Sequence, residues 1–116
     1  MIEVEGMIHN QSILVLIDSG ASRSYIDPKL VERLCLEKRK HKRSWTVQLS
    51  IGTRRKVSEL VRNCLMDLNG LKRVADLNAL PLGSYHVLVG MDWIESHHAI
   101  LDCREMVISC LNDDGQ

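Results

Sequence analysis

The sequence predicts a mainly β domain, a barrel or sandwich of many short strands with two short helices. Three observations lead there. Apolar residues fall at period two along Trp45, Val47, Leu49 and Ile51, the spacing that lines one face of a strand. Turn-forming clusters recur between apolar runs, the sharpest being Asn69-Gly70, the pair best suited to a two-residue hairpin turn. The interior must be filled by Leu, Val and Ile, because the chain has no Phe and only two Trp and two Tyr, and that mix suits strands. With 116 residues the chain can bury one core and not two, so residues 1–116 are expected to form a single domain.

In chain order, Ile2, Val4 and Met7–Ile8 form a first strand, His9–Gln11 a polar turn and Ile13–Ile17 the return strand. The return strand is apolar without alternation, which implies burial on both faces. It ends at Asp18-Ser19-Gly20-Ala21-Ser22, where Gly20 offers a backbone conformation closed to other residues. A short helix follows, with Asp27 as N-cap, Pro28 at the first helical position and Leu30, Val31 and Leu34 as the apolar stripe. The basic segment Lys38–Arg43 is expected to be a solvated loop. Beyond it, Trp45–Ile51 and the strand resuming at Val57 make a long hairpin with Gly52-Thr53-Arg54-Arg55 at its tip. Cys64–Leu68 and Leu71–Leu77 form a second hairpin around Asn69-Gly70. Pro81 and Gly83 break the pattern, His86–Val89 forms a short strand stopping at Gly90, and Asp92 is placed to cap a helix through Trp93, Ile94 and His97. Ala99–Leu101 and Met106–Cys110 complete the set, and residues 112–116 are expected to fray.

Fifteen basic residues balance fifteen acidic ones, with a pI near 7.0, so no global charge draws the chain to nucleic acid or an anionic membrane. The longest apolar run, Ile13–Ile17, falls far short of the roughly 18 residues that span a bilayer. Glu3 and Glu5 stand where a signal peptide needs basic and then apolar residues, so neither a leader nor a membrane partner is expected. Cys35, Cys64, Cys103 and Cys110 are too widely spaced for a metal knuckle and are read as reduced thiols of a cytoplasmic protein. Nothing indicates a cofactor or a metal.

Chemistry concentrates at Leu16-Ile17-Asp18-Ser19-Gly20-Ala21-Ser22, where an apolar strand delivers a carboxylate into a small-residue turn. Strand interiors disfavour Asp, and a carboxylate at a buried strand end must be paired, hydrogen-bonded or protonated. Two such carboxylates facing each other would share one proton, placing an acid beside a base. The tripeptide Asp-Ser-Gly alone also suits a local Asx-type turn.

Taken with Val87-Leu88-Val89-Gly90-Met91-Asp92-Trp93, seventy residues on, that string resembles the protease of retroviruses and gypsy-type long-terminal-repeat retrotransposons. The resemblance runs through nearly the whole chain, including a flap-like hairpin around Ile51-Gly52-Thr53 and the stretch Ile100–Arg104 before the last strand. It implies a closed acid-protease-like β-barrel, one lobe per chain, completed as a C2 homodimer. By that likeness Asp18 is the catalytic carboxylate, Ser19 bonds across the dimer and Gly20 supplies the tight turn. Ala21, Ser22, Ile51, Gly52 and Thr53 would contact an extended peptide, and Leu88, Val89, Gly90 and Asp92 would support the turn from behind. Ser19 stands where Thr is commoner in the family, Ile94 follows Trp93 where Leu is typical, and the flap has a single glycine, Gly52.

The function so implied is an aspartic endopeptidase that cleaves a polyprotein through a water activated by two Asp18 side chains, one per subunit. A different class of reading is a catalytically idle domain of the same fold, serving dimerisation or peptide binding. A third, a β domain gripping nucleic acid through Lys38–Arg43, is disfavoured by the neutral charge and by the lack of interleaved aromatic residues. Trp93 reads as core packing, and the adjacent His97 and His98 point about 100° apart on a helix, unsuited to sharing one metal.

Overall fold

His9 and Asn10 both take positive φ, 51° and 63°, as a type I′ hairpin turn requires. They join β1 (Ile2–Ile8) to β2 (Gln11–Ile17) in a register running from Ile2 opposite Ile17 to Ile8 opposite Gln11. The chain is described by a computed structural model over residues 1–49, 52–102, 104–105 and 107–110. β1 alternates between buried and exposed positions, while β2 is buried throughout Val15–Ile17, as its unbroken apolar run predicts.

β3 (Tyr25–Ile26) is too short to show a period in sequence, yet it lies at the middle of the sheet. The helix α1 (Pro28–Arg33) starts as expected, with Asp27 Oδ1 accepting from the Lys29 N–H at 2.9 Å. The other oxygen of Asp27 accepts from the Leu82 N–H at 3.0 Å, so one carboxylate ties the helix to the distant 80–82 segment.

The basic segment is a strand rather than a loop. β4 (Arg39–Gln48) pairs with β5 (Arg54–Leu68), with Arg39 opposite Leu60 and Trp45 opposite Val57, and the register shifts between Lys40 and Trp45. Lys and Arg have low strand propensity, which reads as loop, but β4 is an edge strand whose charged side chains stay in solvent while its backbone pairs on one side. One ring turns inward: His41 Nε2 lies 2.7 Å from Asn78 Oδ1.

β5 runs unbroken from the first long hairpin into the second, which sequence punctuation had divided. It bends at Asn63, which takes φ of 52° where the register with β6 (Leu71–Ala79) shifts, and its N–H is held by Asp76 Oδ1 at 2.8 Å. Asn69 and Gly70, at φ of 56° and 99°, make the expected hairpin turn between β5 and β6. The chain ends with β7 (Val87–Val89), the helix α2 (Met91–Ser96), β8 (Ala99–Asp102) and β9 (Val107–Cys110), the last two paired as a separate hairpin. The frayed tail expected at 112–116, and Met106 and Cys103, lie outside the described residues.

Strand order β1-β2-β7-β3-β6-β5, closed by pairing of Met7 with Asp67, makes a six-stranded barrel with β4 outside it. Closure depends on Gly6, where a Cβ would lie 2.7 Å from the Asp67 carbonyl oxygen. Ile2, Ile8, Val15, Ile17, Ile26, Met66 and Leu77 fill the interior, and Leu30, Val31, Trp93 and Ile94 bring both helices onto it. Among the described residues no helix is long and apolar enough to cross a membrane.

Cys64 belongs to this core, and burial pushes its thiol from 9.0 up to about 11, which alone cuts the thiolate fraction at neutral pH roughly a hundredfold. Cys35 is exposed and unpaired. A thiol reagent at pH 7.5 should therefore label Cys35 in the native protein and reach Cys64 only in denaturant, read by mass spectrometry of the peptides. Equal labelling of both in the native state would contradict this packing.

Candidate active site

Asp18 follows the last residue of β2 and is half-buried there. Its backbone N–H donates to the Val89 carbonyl at 2.9 Å, continuing the parallel pairing of β2 with β7, and its carbonyl accepts from Ala21 N at 3.2 Å. Its Oδ1 accepts from the Gly20 N–H at 2.8 Å, which is an Asx turn. The local turn and a chemical role are thus compatible: the turn fixes one oxygen, and Oδ2 takes no hydrogen bond from the described residues.

Gly20 does not occupy the left-handed region. A Cβ there would stand 3.1 Å from Asp18 Oδ1, so the position calls for a small residue that donates to the carboxylate without crowding it. Ser19 is exposed. Ala21 and Ser22, expected to face substrate, have their carbonyls engaged within the chain, accepting from Met91 N at 2.7 Å and Asp92 N at 3.2 Å.

Those two bonds explain how α2 begins. The first N–H groups of a helix lack partners within it. Here the turn after Asp18 supplies them, so the N-cap is Gly90 without a side-chain cap, and Asp92 sits inside the first turn rather than at the cap. Gly90 passes so close behind the turn that a Cβ would lie 2.3 Å from the Arg23 carbonyl oxygen and 2.8 Å from that of Ala21. Its backbone is extended, φ −107° and ψ −170°, so glycine is required for space alone.

Asp92 takes up the remaining polar groups. Its Oδ1 accepts from Ser24 Oγ at 2.7 Å and from its neighbour Trp93 N at 2.7 Å, and its Oδ2 accepts from Ser24 N at 3.2 Å. Ser24 Oγ in turn accepts from the Gly90 N–H at 2.9 Å. Ser24 is buried and was not singled out by sequence, since its only local signal is a small polar residue before the apolar pair Tyr25-Ile26. Ser24→Ala should leave the Gly90 N–H buried without a partner and cost about 2 kcal/mol in a denaturant titration. A change below about 0.5 kcal/mol would show that the hydroxyl contributes nothing there.

Behind α2, Trp93 Nε1 donates to the Val74 carbonyl at 3.3 Å, and the ring stacks on His97 with centroids 4.6 Å apart. Burial, with a smaller contribution from the Arg73 charge, holds the His97 imidazole below its ordinary pKa.

A second apolar cluster lies between the barrel and the β4–β5 hairpin. Tyr25, Val57 and Leu80 are buried in it, with half-buried Trp45, Val47, Leu49, Leu82 and Leu88 packed around them. Leu88 pairs with Leu16 on one side and Tyr25 on the other, so the cluster adjoins the strand ends that carry Asp18. The hairpin and the segment after Asp18 also meet directly, since the Arg23 guanidinium lies over the Trp45 ring, 4.4 Å from its centroid. Gly52 and Thr53 are exposed at the hairpin tip, where the Thr53 carbonyl accepts from Leu49 N at 2.7 Å; Ile51 lies outside the described residues. In the sequence Trp45 and Leu88 stand out only as strand or support residues, because the cluster unites segments far apart in the chain.

A family model described as retroviral aspartyl protease matches residues 1–116. Among solved structures, the chain is similar to the retroviral protease-like domain of Ddi1 from Leishmania major, with 17% sequence identity and a TM-score of 0.72 over 97% of this chain and 89% of that one. At that identity the likeness concerns the fold. No curated protein matches the chain.

Proposed function

The chain belongs to the retroviral aspartyl protease family, and on that premise we propose that it is an aspartic endopeptidase whose catalytic pair forms when two copies each contribute Asp18. The observation that carries this reading is the Asp18 carboxylate, held by one oxygen in a rigid turn at the end of a barrel strand while its other oxygen has no partner among the described residues. That second oxygen is not among the buried atoms, so it is open to a bound water or to a second carboxylate.

One lobe carries one Asp-Ser-Gly, so the second carboxylate comes from a twofold mate. On the axis the two side chains share a proton, because adjacent carboxylates cannot both ionise cheaply. The ionised oxygen removes a proton from the bound water, the water attacks the scissile carbonyl, and the shared proton passes to the departing amine. Ser19, exposed beside Asp18, is free to bond across the axis. The peptide lies extended between the Asp18 turns and the β4–β5 hairpins, with its apolar side chains against the half-buried Trp45, Val47 and Leu49 that border the second apolar cluster. A polyprotein that contains the chain is the substrate in this reading.

The test is dilution. Specific activity on an apolar peptide near pH 5 should fall as the protein is diluted, in step with the dimer fraction from sedimentation, because half a site does no chemistry. Activity independent of dimer fraction would overturn the shared site. A dimer that binds the peptide and never cuts it would instead assign the chain to peptide binding.

A further inference from the structure

The neutral net charge conceals a strong separation. Eight of the 15 basic residues fall between positions 38 and 56, a stretch with no Asp or Glu, so the rest of the chain carries a net charge of −8. That stretch is the β4–β5 hairpin, which covers the second apolar cluster next to Asp18.

Register sorts these charges by face. Trp45 and Val57 are opposite each other, and Val57 is fully buried against the barrel, so their shared face is the inner one. Two residues nearer the tip, Val47 and Arg55 are opposite each other and lie on that same face. Arg55 therefore sits on the inner side of the hairpin and is still exposed. From the other wall, Arg23 of the active-site turn reaches Trp45 and is held over its ring. Among the described residues no carboxylate lies within ion-pair distance of either guanidinium, the single ion pair being the loose Lys38–Glu59 contact at 4.0 Å.

We infer that Arg23 and Arg55 make the cleft selective for peptides bearing a Glu or Asp side chain beside the apolar residues at the scissile bond, an inference that rests on the endopeptidase reading above. A guanidinium offers paired donors that match a carboxylate, and stacking on Trp45 fixes Arg23 so that less side-chain freedom is lost on binding. A peptide fits these charges better than a nucleic acid does. Trp45 is the one aromatic side chain of the β4–β5 pair besides His41, and it is already engaged by Arg23 over its ring and by an edge contact with His41, centroids 4.8 Å apart, which disfavours stacking of a base.

The experiment walks Glu, Gln or Lys through the positions flanking an apolar scissile pair and measures kcat/KM for each peptide. The best Glu peptide should exceed its Gln counterpart by roughly tenfold or more, the scale of one charge-assisted hydrogen-bonded pair. Arg23→Glu should abolish that preference and favour Lys, and Arg55→Glu, at an exposed site where folding is not at risk, should reduce it. Lys42→Glu makes the same charge change elsewhere on the hairpin and should keep it. Equal rates for Glu and Gln peptides, or an equal loss in Lys42→Glu, overturns the inference. Should no peptide be cut, the endopeptidase reading fails, and fluorescence anisotropy of the labelled peptides on the Asp18→Asn protein still decides this point. Glu preference lost in Asp18→Asn/Arg23→Glu supports the arginines, and no preference overturns them. A single-stranded oligonucleotide that binds at moderate salt and displaces the Glu peptide would also overturn them, in favour of nucleic acid.

Discussion

Asp18→Asn should lower kcat/KM for peptide hydrolysis by on the order of 10³–10⁴-fold if the proposed pair of carboxylates serves as both general base and general acid, since an amide can do neither. The fold should be untouched. Asn presents an oxygen in the same place, so the bond from the Gly20 N–H, 2.8 Å in the native protein, survives, and the Asp18 backbone bond to Val89 does not involve the side chain. Stability should therefore change by no more than about 0.5 kcal/mol in denaturant. Together these two readings separate chemistry from structure. Retained hydrolysis in a folded Asp18→Asn protein would remove the Asp pair from the mechanism, whatever the assembly.

Gly90→Ala should be the most damaging small substitution in the chain. Its Cβ would be 2.3 Å from the Arg23 carbonyl oxygen and 2.8 Å from that of Ala21, both backbone atoms that cannot rotate away. Either β7 or the turn after Asp18 must shift. Overpacking of a well-packed site costs about 1–3 kcal/mol and occasionally more, and a backbone clash on this scale belongs at about 3 kcal/mol or above. The turn that moves is the one holding Asp18, so activity should fall further than stability does. Gly52→Ala is the control: Gly52 has φ of 86° but nothing within 4 Å, so only local strain of about 1 kcal/mol is expected. Equal costs at the two positions, measured by chemical denaturation, would mean that the passage behind the turn is not tight.

Elements decided by near neighbours were legible in the sequence. The Asn69-Gly70 turn, the β1–β2 hairpin and the Asp27-Pro28 helix start each depend on residues within a few positions, and each formed as read. β4 and β3 were not legible. A run of Lys and Arg becomes a strand only because β5 offers it an edge, and Tyr25-Ile26 becomes one only because β6 and β7 lie on either side. At the site, Asp18, Gly20 and Gly90 stood out by residue type, whereas Ser24, Arg23 and the Tyr25–Val57–Leu80 cluster did not. Their partners are supplied by segments dozens of residues away.

By itself the sequence determined the chemistry on offer: one carboxylate at the end of an apolar strand, small residues to turn the chain after it, and an apolar-apolar-glycine string seventy positions later. Local backbone preference and side-chain type are written in the chain, and they suffice for turns, caps and the choice of acid. Only the tertiary structure decided what those pieces do to one another. Barrel closure brings β7 beside β2, presses Gly90 against the turn, lets that turn cap α2, and sets Trp45 of the basic hairpin against Arg23 beside it. Such contacts arise from the packing of strands remote in sequence, where burial and hydrogen-bond satisfaction outweigh local propensity.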